Sequence, residues 1–126
     1  MNFYICRHCK NVVAYVENKG PHIVCCGEEM QLIIPNTTDA AKEKHVPVIE
    51  VHGTQVIVTI GSEPHPMTEP HHIAWIALET KDGNQRKCLE MTGAPRAEFA
   101  ITEEDTILAA YEYCNLHGLW KAEMTL

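Results

Sequence analysis

No stretch of this 126-residue chain reaches the roughly 18 consecutive apolar residues that a membrane-spanning helix needs. Basic residues are also few. Ten Lys and Arg stand against 17 Asp and Glu, a formal net charge of -7, which argues against a general nucleic-acid binder because phosphate backbones attract basic faces. An anionic substrate would need a local positive patch against this background. The N-terminus, Met1-Asn2-Phe3-Tyr4, has no basic segment followed by an apolar one, so no signal peptide is visible and a cytoplasmic location is expected. No internal repeat or low-complexity tract occurs. Hydrophobic residues make up 45% of the chain, as in ordinary folded proteins.

What the chain does have is sulfur and imidazole: six cysteines and eight histidines. Without a secretion signal, the cysteines read as metal ligands or buried thiols, not as a disulfide framework. Cys6-Arg7-His8-Cys9 is a C-x-x-C knuckle, and Cys25-Cys26-Gly27 supplies two more thiols. Between them lie a strand-like run at 11–16 and a turn at Asn18-Lys19-Gly20-Pro21. So short a segment cannot bury enough apolar surface to hold itself together, and a metal bound by four thiolates would stabilise it. Neighbouring strand residues face opposite ways, so Cys25 and Cys26 share one ion only if the backbone turns there, which Gly27 permits. Read from the residues alone, this segment also fits a structural zinc ribbon. His8 and His22 are expected to face solvent, since four thiolates already close a tetrahedron.

A second constellation centres on Tyr113-Cys114-Asn115-Leu116-His117-Gly118-Leu119-Trp120. A thiol and an imidazole three residues apart on one tight loop can grip a single ion. His45, His65 and His71 are candidate partners. His65 lies between Pro64 and Pro66, whose fixed φ stiffens the loop that carries it. Of the neighbours His71 and His72, one faces inward and the other away. Four imidazoles and a thiolate suit iron, copper or zinc, not calcium or magnesium. Five ligands are one too many for tetrahedral zinc and one short of octahedral iron. Cys88 is expected to be a small buried core residue, and His52 to cap a turn.

The remaining pattern is all-β. Residues 35–44 are polar and read as a linker leading into a loop. Strands are expected over 46–51 and 55–60 around His52-Gly53-Thr54, then over 73–78, 85–91, 96–101 and 120–125, with a hairpin turn at Lys81-Asp82-Gly83-Asn84. Thr102-Glu103-Glu104-Asp105 resembles a helix capping box, and 106–113 has fair helical propensity. A strand is expected there nonetheless, because its neighbours are short strands whose sheet needs a partner. Strands at this spacing suggest a β-sandwich.

Taken together, Glu43-Lys44-His45-Val46-Pro47, Pro64-His65-Pro66-Met67, His71 six residues after His65, and Cys114-Asn115-Leu116-His117-Gly118 resemble the desulfoferrodoxins, two-iron superoxide reductases. Cys6, Cys9, Cys25 and Cys26 resemble the desulforedoxin-like domain of that family. The resemblance implies a desulforedoxin-like Fe(Cys)4 domain over 1–36 and an immunoglobulin-like β-sandwich over 37–126. It implies a second iron with His45, His65, His71 and His117 as equatorial ligands and Cys114 as axial thiolate. The sixth position is then open in the ferrous state and taken by Glu43 in the ferric state, with Lys44 on the loop nearby. It further implies one-electron reduction of superoxide to hydrogen peroxide without release of dioxygen, a homodimer, and a rubredoxin-like electron donor. Two other readings compete. One is a non-catalytic electron carrier, in which Cys114, His117 and Met124 echo a blue-copper site. The other is a structural protein with zinc in both sites.

Overall fold

The structure is a computed structural model that describes residues 1–124. It forms two compact units, Met1–Ile34 and Pro35–Leu126.

The first unit consists of very short strands. β1 (Tyr4–Ile5) lies between β2 (Val12–Val13) and β5 (Gln31–Leu32), and β3 (Val24–Cys25) pairs with β4 (Glu28–Glu29) in a hairpin. Of the strand expected over 11–16, only Val12–Val13 pairs, and Val16 is fully exposed. The buried apolar residues here are Phe3, Cys6 and Met30. Three such side chains make a very small core, so the unit depends on other stabilisation. The β3–β4 turn is made by Cys26 and Gly27, both at positive φ (55° and 75°), the sign pattern of a type I′ hairpin. The turn between the paired cysteines thus places Cys26 itself, as well as Gly27, in the left-handed region.

Among the described residues, the second unit contains α1 (Lys42–His45) and seven strands: β6 (Pro47–His52), β7 (Gln55–Ile60), β8 (Ile73–Thr80), β9 (Gly83–Cys88), β10 (Arg96–Ala100), β11 (Ile107–Cys114) and β12 (Gly118–Glu123). They pair antiparallel in two sheets, ordered β10-β7-β6 and β12-β11-β8-β9. Alternate residues of β7 (Val56, Val58, Ile60) are buried, as the period-two pattern requires. They pack with Ile73, Ile76 and Leu78 of β8, Ala97 and Phe99 of β10, and Ala110 and Cys114 of β11 in one core. Two sheets sharing one buried layer make the expected β-sandwich. Fully burying one such Leu, Ile or Val contributes roughly 1.5–3 kcal/mol.

The helical signal before 106–113 loses to tertiary context. β11 is an inner strand hydrogen-bonded to β8 on one side and β12 on the other, a gain that a lone helix could not match. Three expectations need correction. Cys88 is exposed, because it ends the edge strand β9, where the Arg86 guanidinium donates to its sulfur at 3.0 Å. Residues 35–44 are not a free linker. Asn36, at φ 63°, exchanges side-chain hydrogen bonds with the Lys121 backbone (2.8 and 3.0 Å), and the segment ends in the helical turn α1. The strand expected over 85–91 ends at Cys88. Thr125, the expected end of the last strand, lies outside the described residues.

Candidate metal centres

In the first unit the fold brings the sulfurs of Cys6, Cys9, Cys25 and Cys26 within 4.8 Å of one another. Cys9 Sγ and Cys25 Sγ are 3.6 Å apart, well beyond a disulfide bond, and all four thiols are free. The Cys9 backbone N–H donates to Cys6 Sγ at 3.5 Å and draws that thiol down to about 6. The neighbouring sulfurs push Cys26 in the opposite direction, up to about 12, and raise Cys25. Four sulfurs so close cannot all ionise unless a cation neutralises them, so the donor set fits a thiolate-bound metal. His8 and His22 are exposed and reach Glu28 and Glu29, not the sulfurs.

The second centre lies at one end of the sandwich. His45 closes the helical turn α1, His65 and His71 come from the β7–β8 connection, and Cys114 and His117 flank the β11–β12 turn. The donor atoms of His45, His65, His71 and Cys114 lie within 4.8 Å of one another. His117 Nδ1 joins them, 3.1 Å from His45 Nε2 and 3.9 Å from Cys114 Sγ. The four rings form a square. Successive pairs His45–His65, His65–His71, His71–His117 and His117–His45 have centroids 4.7–5.1 Å apart and planes at 79–82°. The His45–His71 pair spans a 6.4 Å diagonal with planes only 32° apart. Imidazoles packing only for their own sake would not all turn ring nitrogens toward one point.

Protonation follows from the hydrogen bonds. His45 Nδ1 lies 2.7 Å from the Ala41 carbonyl and His65 Nδ1 2.6 Å from the Pro66 carbonyl. Carbonyls only accept, so both Nδ1 atoms carry the proton and leave a lone pair on Nε2. His65 Nε2 and His71 Nε2 are buried with no hydrogen-bond partner. Buried polar atoms are normally satisfied, and a cation would satisfy both. Burial lowers the pKa of His45 and His71 and takes His65 down to about 4, so all three are neutral and able to bind metal at pH 7. Burial raises the Cys114 thiol, which then ionises only with a cation beside it. Trp120 also supports the site. It is fully buried, stacks on His45 (4.9 Å, 29°), and its indole N–H donates to the His117 carbonyl at 3.1 Å. Nothing in the local sequence around Trp120 marks this role.

Glu43 and Lys44 lie on α1 immediately before His45, and their charges act on that imidazole; Lys44 also acts on His71. The turn is pinned through the Glu43 carbonyl, which accepts from the Glu63 N–H (3.0 Å) and the Ser62 hydroxyl (3.3 Å). Met124, the nominated copper ligand, instead packs on the hydrophobic core and lines a cavity with Val51 and Ile107. That cavity contains no histidine of the square.

Comparisons with known proteins agree with this architecture. Residues 37–123 match the family model Desulfoferrodoxin. The chain is 49% identical over 120 residues to the desulfoferrodoxin of Nitratidesulfovibrio vulgaris, covering 95% of this chain and 94% of that protein. It is 42% identical over 101 residues to the superoxide reductase of Thermococcus kodakarensis, covering 67% of this chain and 88% of the other. The crystal structure of the superoxide reductase from Treponema pallidum superposes with a TM-score of 0.82 at 43% identity, covering 97% of this chain and 98% of that one. By sequence and by structure, the chain belongs to the desulfoferrodoxin family.

Proposed function

We propose that this protein is a two-iron superoxide reductase that reduces superoxide by one electron and two protons to hydrogen peroxide. The observation that carries the reading is the square of four imidazoles closed by the buried Cys114 thiol, with two ring nitrogens left unpartnered. His45, His65, His71, His117 and Cys114 hold one iron, and Cys6, Cys9, Cys25 and Cys26 hold the other within the domain over 1–36. The sandwich domain over 37–126 carries the reaction. Iron held by these five side chains would supply the electron to a small anion.

The other steps belong to side chains. The Cys114 thiolate donates electron density and favours oxidation of the centre. Lys44 provides the local positive charge that an acidic protein otherwise lacks, and draws the anion in. Glu43, on the same turn, would supply a carboxylate ligand to the oxidised centre. Electrons return from a rubredoxin-like donor, and the protein acts as a cytoplasmic homodimer. The free cysteines suit that compartment.

Mixing the fully reduced protein with superoxide tests the proposal. One peroxide per superoxide with no dioxygen is expected; dioxygen at half the superoxide consumed would indicate dismutation and refute it. Electron carriage at copper is the weaker reading, because a blue-copper site uses two histidines and Met124 lies elsewhere.

A further inference from the structure

We propose that Asn115 is the positioning residue for His71, fixing that imidazole against the loop that bears Cys114 and His117. The inference rests on the reading of this centre as an iron site.

The four imidazoles are not held alike. His45 and His65 each have Nδ1 anchored to a backbone carbonyl. His117 shares a tight turn with Cys114. The His71 ring has no hydrogen bond among the described residues, and its Nε2 is one of the two orphaned ring nitrogens. Its direction is therefore set by its backbone. Thr68 closes that backbone locally: the Thr68 N–H and hydroxyl donate to the His71 carbonyl (2.9 and 3.1 Å), and the His71 N–H points back at Thr68. These bonds shape the loop without tying it to the rest of the site.

Asn115 makes that tie. Its side-chain N–H donates to the Pro70 carbonyl at 3.0 Å, its side-chain oxygen accepts from the His72 N–H at 2.8 Å, and its backbone N–H donates to the His72 carbonyl at 3.2 Å. The peptide groups on both sides of His71 are thus gripped by the residue that follows Cys114. A carboxamide suits this task because it donates from one atom and accepts at the other. Aspartate cannot donate to Pro70, and leucine can do neither. The grip also disposes of His72, whose ring Nδ1 turns to the Thr68 and Glu69 carbonyls (3.0 and 2.9 Å), away from the square.

The test uses the full protein loaded with iron at both centres, as wild type, Asn115→Leu and Asn115→Asp. Iron release to a chelator and the thiolate-to-iron absorption band are followed separately for each centre. Loss of a group that orients a metal ligand typically weakens binding 10- to 100-fold. Asn115→Leu is expected to release iron from the histidine–cysteine centre at least about tenfold faster and to shift its absorption band, with the four-cysteine centre unchanged. Asn115→Asp keeps the acceptor for His72 and should fall between the two. Asn115 is solvent-exposed, so both variants are expected to fold. Release rates and band positions equal to wild type in both variants would overturn the assignment. A wild-type protein that holds no iron at these five side chains would instead overturn the reading beneath it.

Discussion

Glu112 is fully buried on β11, opposite Ile76 on one side and Trp120 on the other, with both carboxyl oxygens unpartnered among the described residues. Burial pushes its pKa up to about 9, so it is protonated at neutral pH. An unfolded chain loses that proton near pH 4.5, so the native state binds more protons across the window between, and stability falls as pH rises through it. Glu112→Gln, neutral at every pH, should stabilise the metal-free protein by about 3 kcal/mol at pH 7 and flatten this slope. Denaturant unfolding at pH 5.5 and pH 8 would show it. His65 slopes the other way. Its native pKa of about 4 lies below the unfolded value of 6.5, so metal-free stability and metal binding are lost as pH falls from the higher value to the lower. At the same scale, the charge of Lys44 should govern encounter with the anion. Lys44→Ala is expected to slow the bimolecular reaction with superoxide roughly ten- to a hundredfold and to weaken its salt dependence. Pulse radiolysis reads both, and an unchanged rate would remove Lys44 from the mechanism.

Among the elements, the turn α1 depends on one glycine. Gly61 has φ 84°, and a Cβ there would lie 2.3 Å from the Glu63 carbonyl oxygen and 2.8 Å from that of Glu43. Both atoms are backbone, so nothing flexible can yield. Gly61→Ala should cost about 3 kcal/mol and displace the turn carrying Glu43, Lys44 and His45. Loss of iron from the histidine centre while the four-cysteine centre stays loaded would confirm this. Gly61 was legible in the sequence as a strand end, not as a point of close backbone approach, because Glu43 and Glu63 meet it only in the folded chain. The same distinction runs through the site. The ligand-type residues could be read because thiols and imidazoles at short spacings carry their own chemistry. Strand β11 could be read only against its local capping signal, by counting its neighbours. Trp120 and the Asn115 grip could not be read, since stacking and long-range hydrogen bonds leave no local pattern. Cys88 was misplaced because hydrophobicity does not reveal which strand forms a sheet edge.

At the scale of the whole molecule, the two units are held together internally by different means. Pro35–Leu126 has a continuous apolar core, whereas Met1–Ile34 buries only Phe3, Cys6 and Met30. The first unit should therefore fold only with its metal. Cys9→Ser is expected to strip that centre and abolish amide-exchange protection in residues 1–34. Protection in the sandwich, and peroxide formation by chemically reduced protein, should persist. Exchange measured by mass spectrometry distinguishes this from a chain that unfolds as one.

At its start, strand β8 carries one residue more than β11 matches there: Tyr113 faces Trp75 and Cys114 faces Ile73, leaving Ala74 without a partner on β11. That extra residue resets the alternation, so Ile73 turns into the core and the chain enters the strand with His71 inward. A chain shortened by Ala74 would pair without the bulge and still set Ile73 against Cys114, leaving His71 turned toward the other imidazoles. The bulge thus absorbs one residue of chain length without changing which histidine is presented.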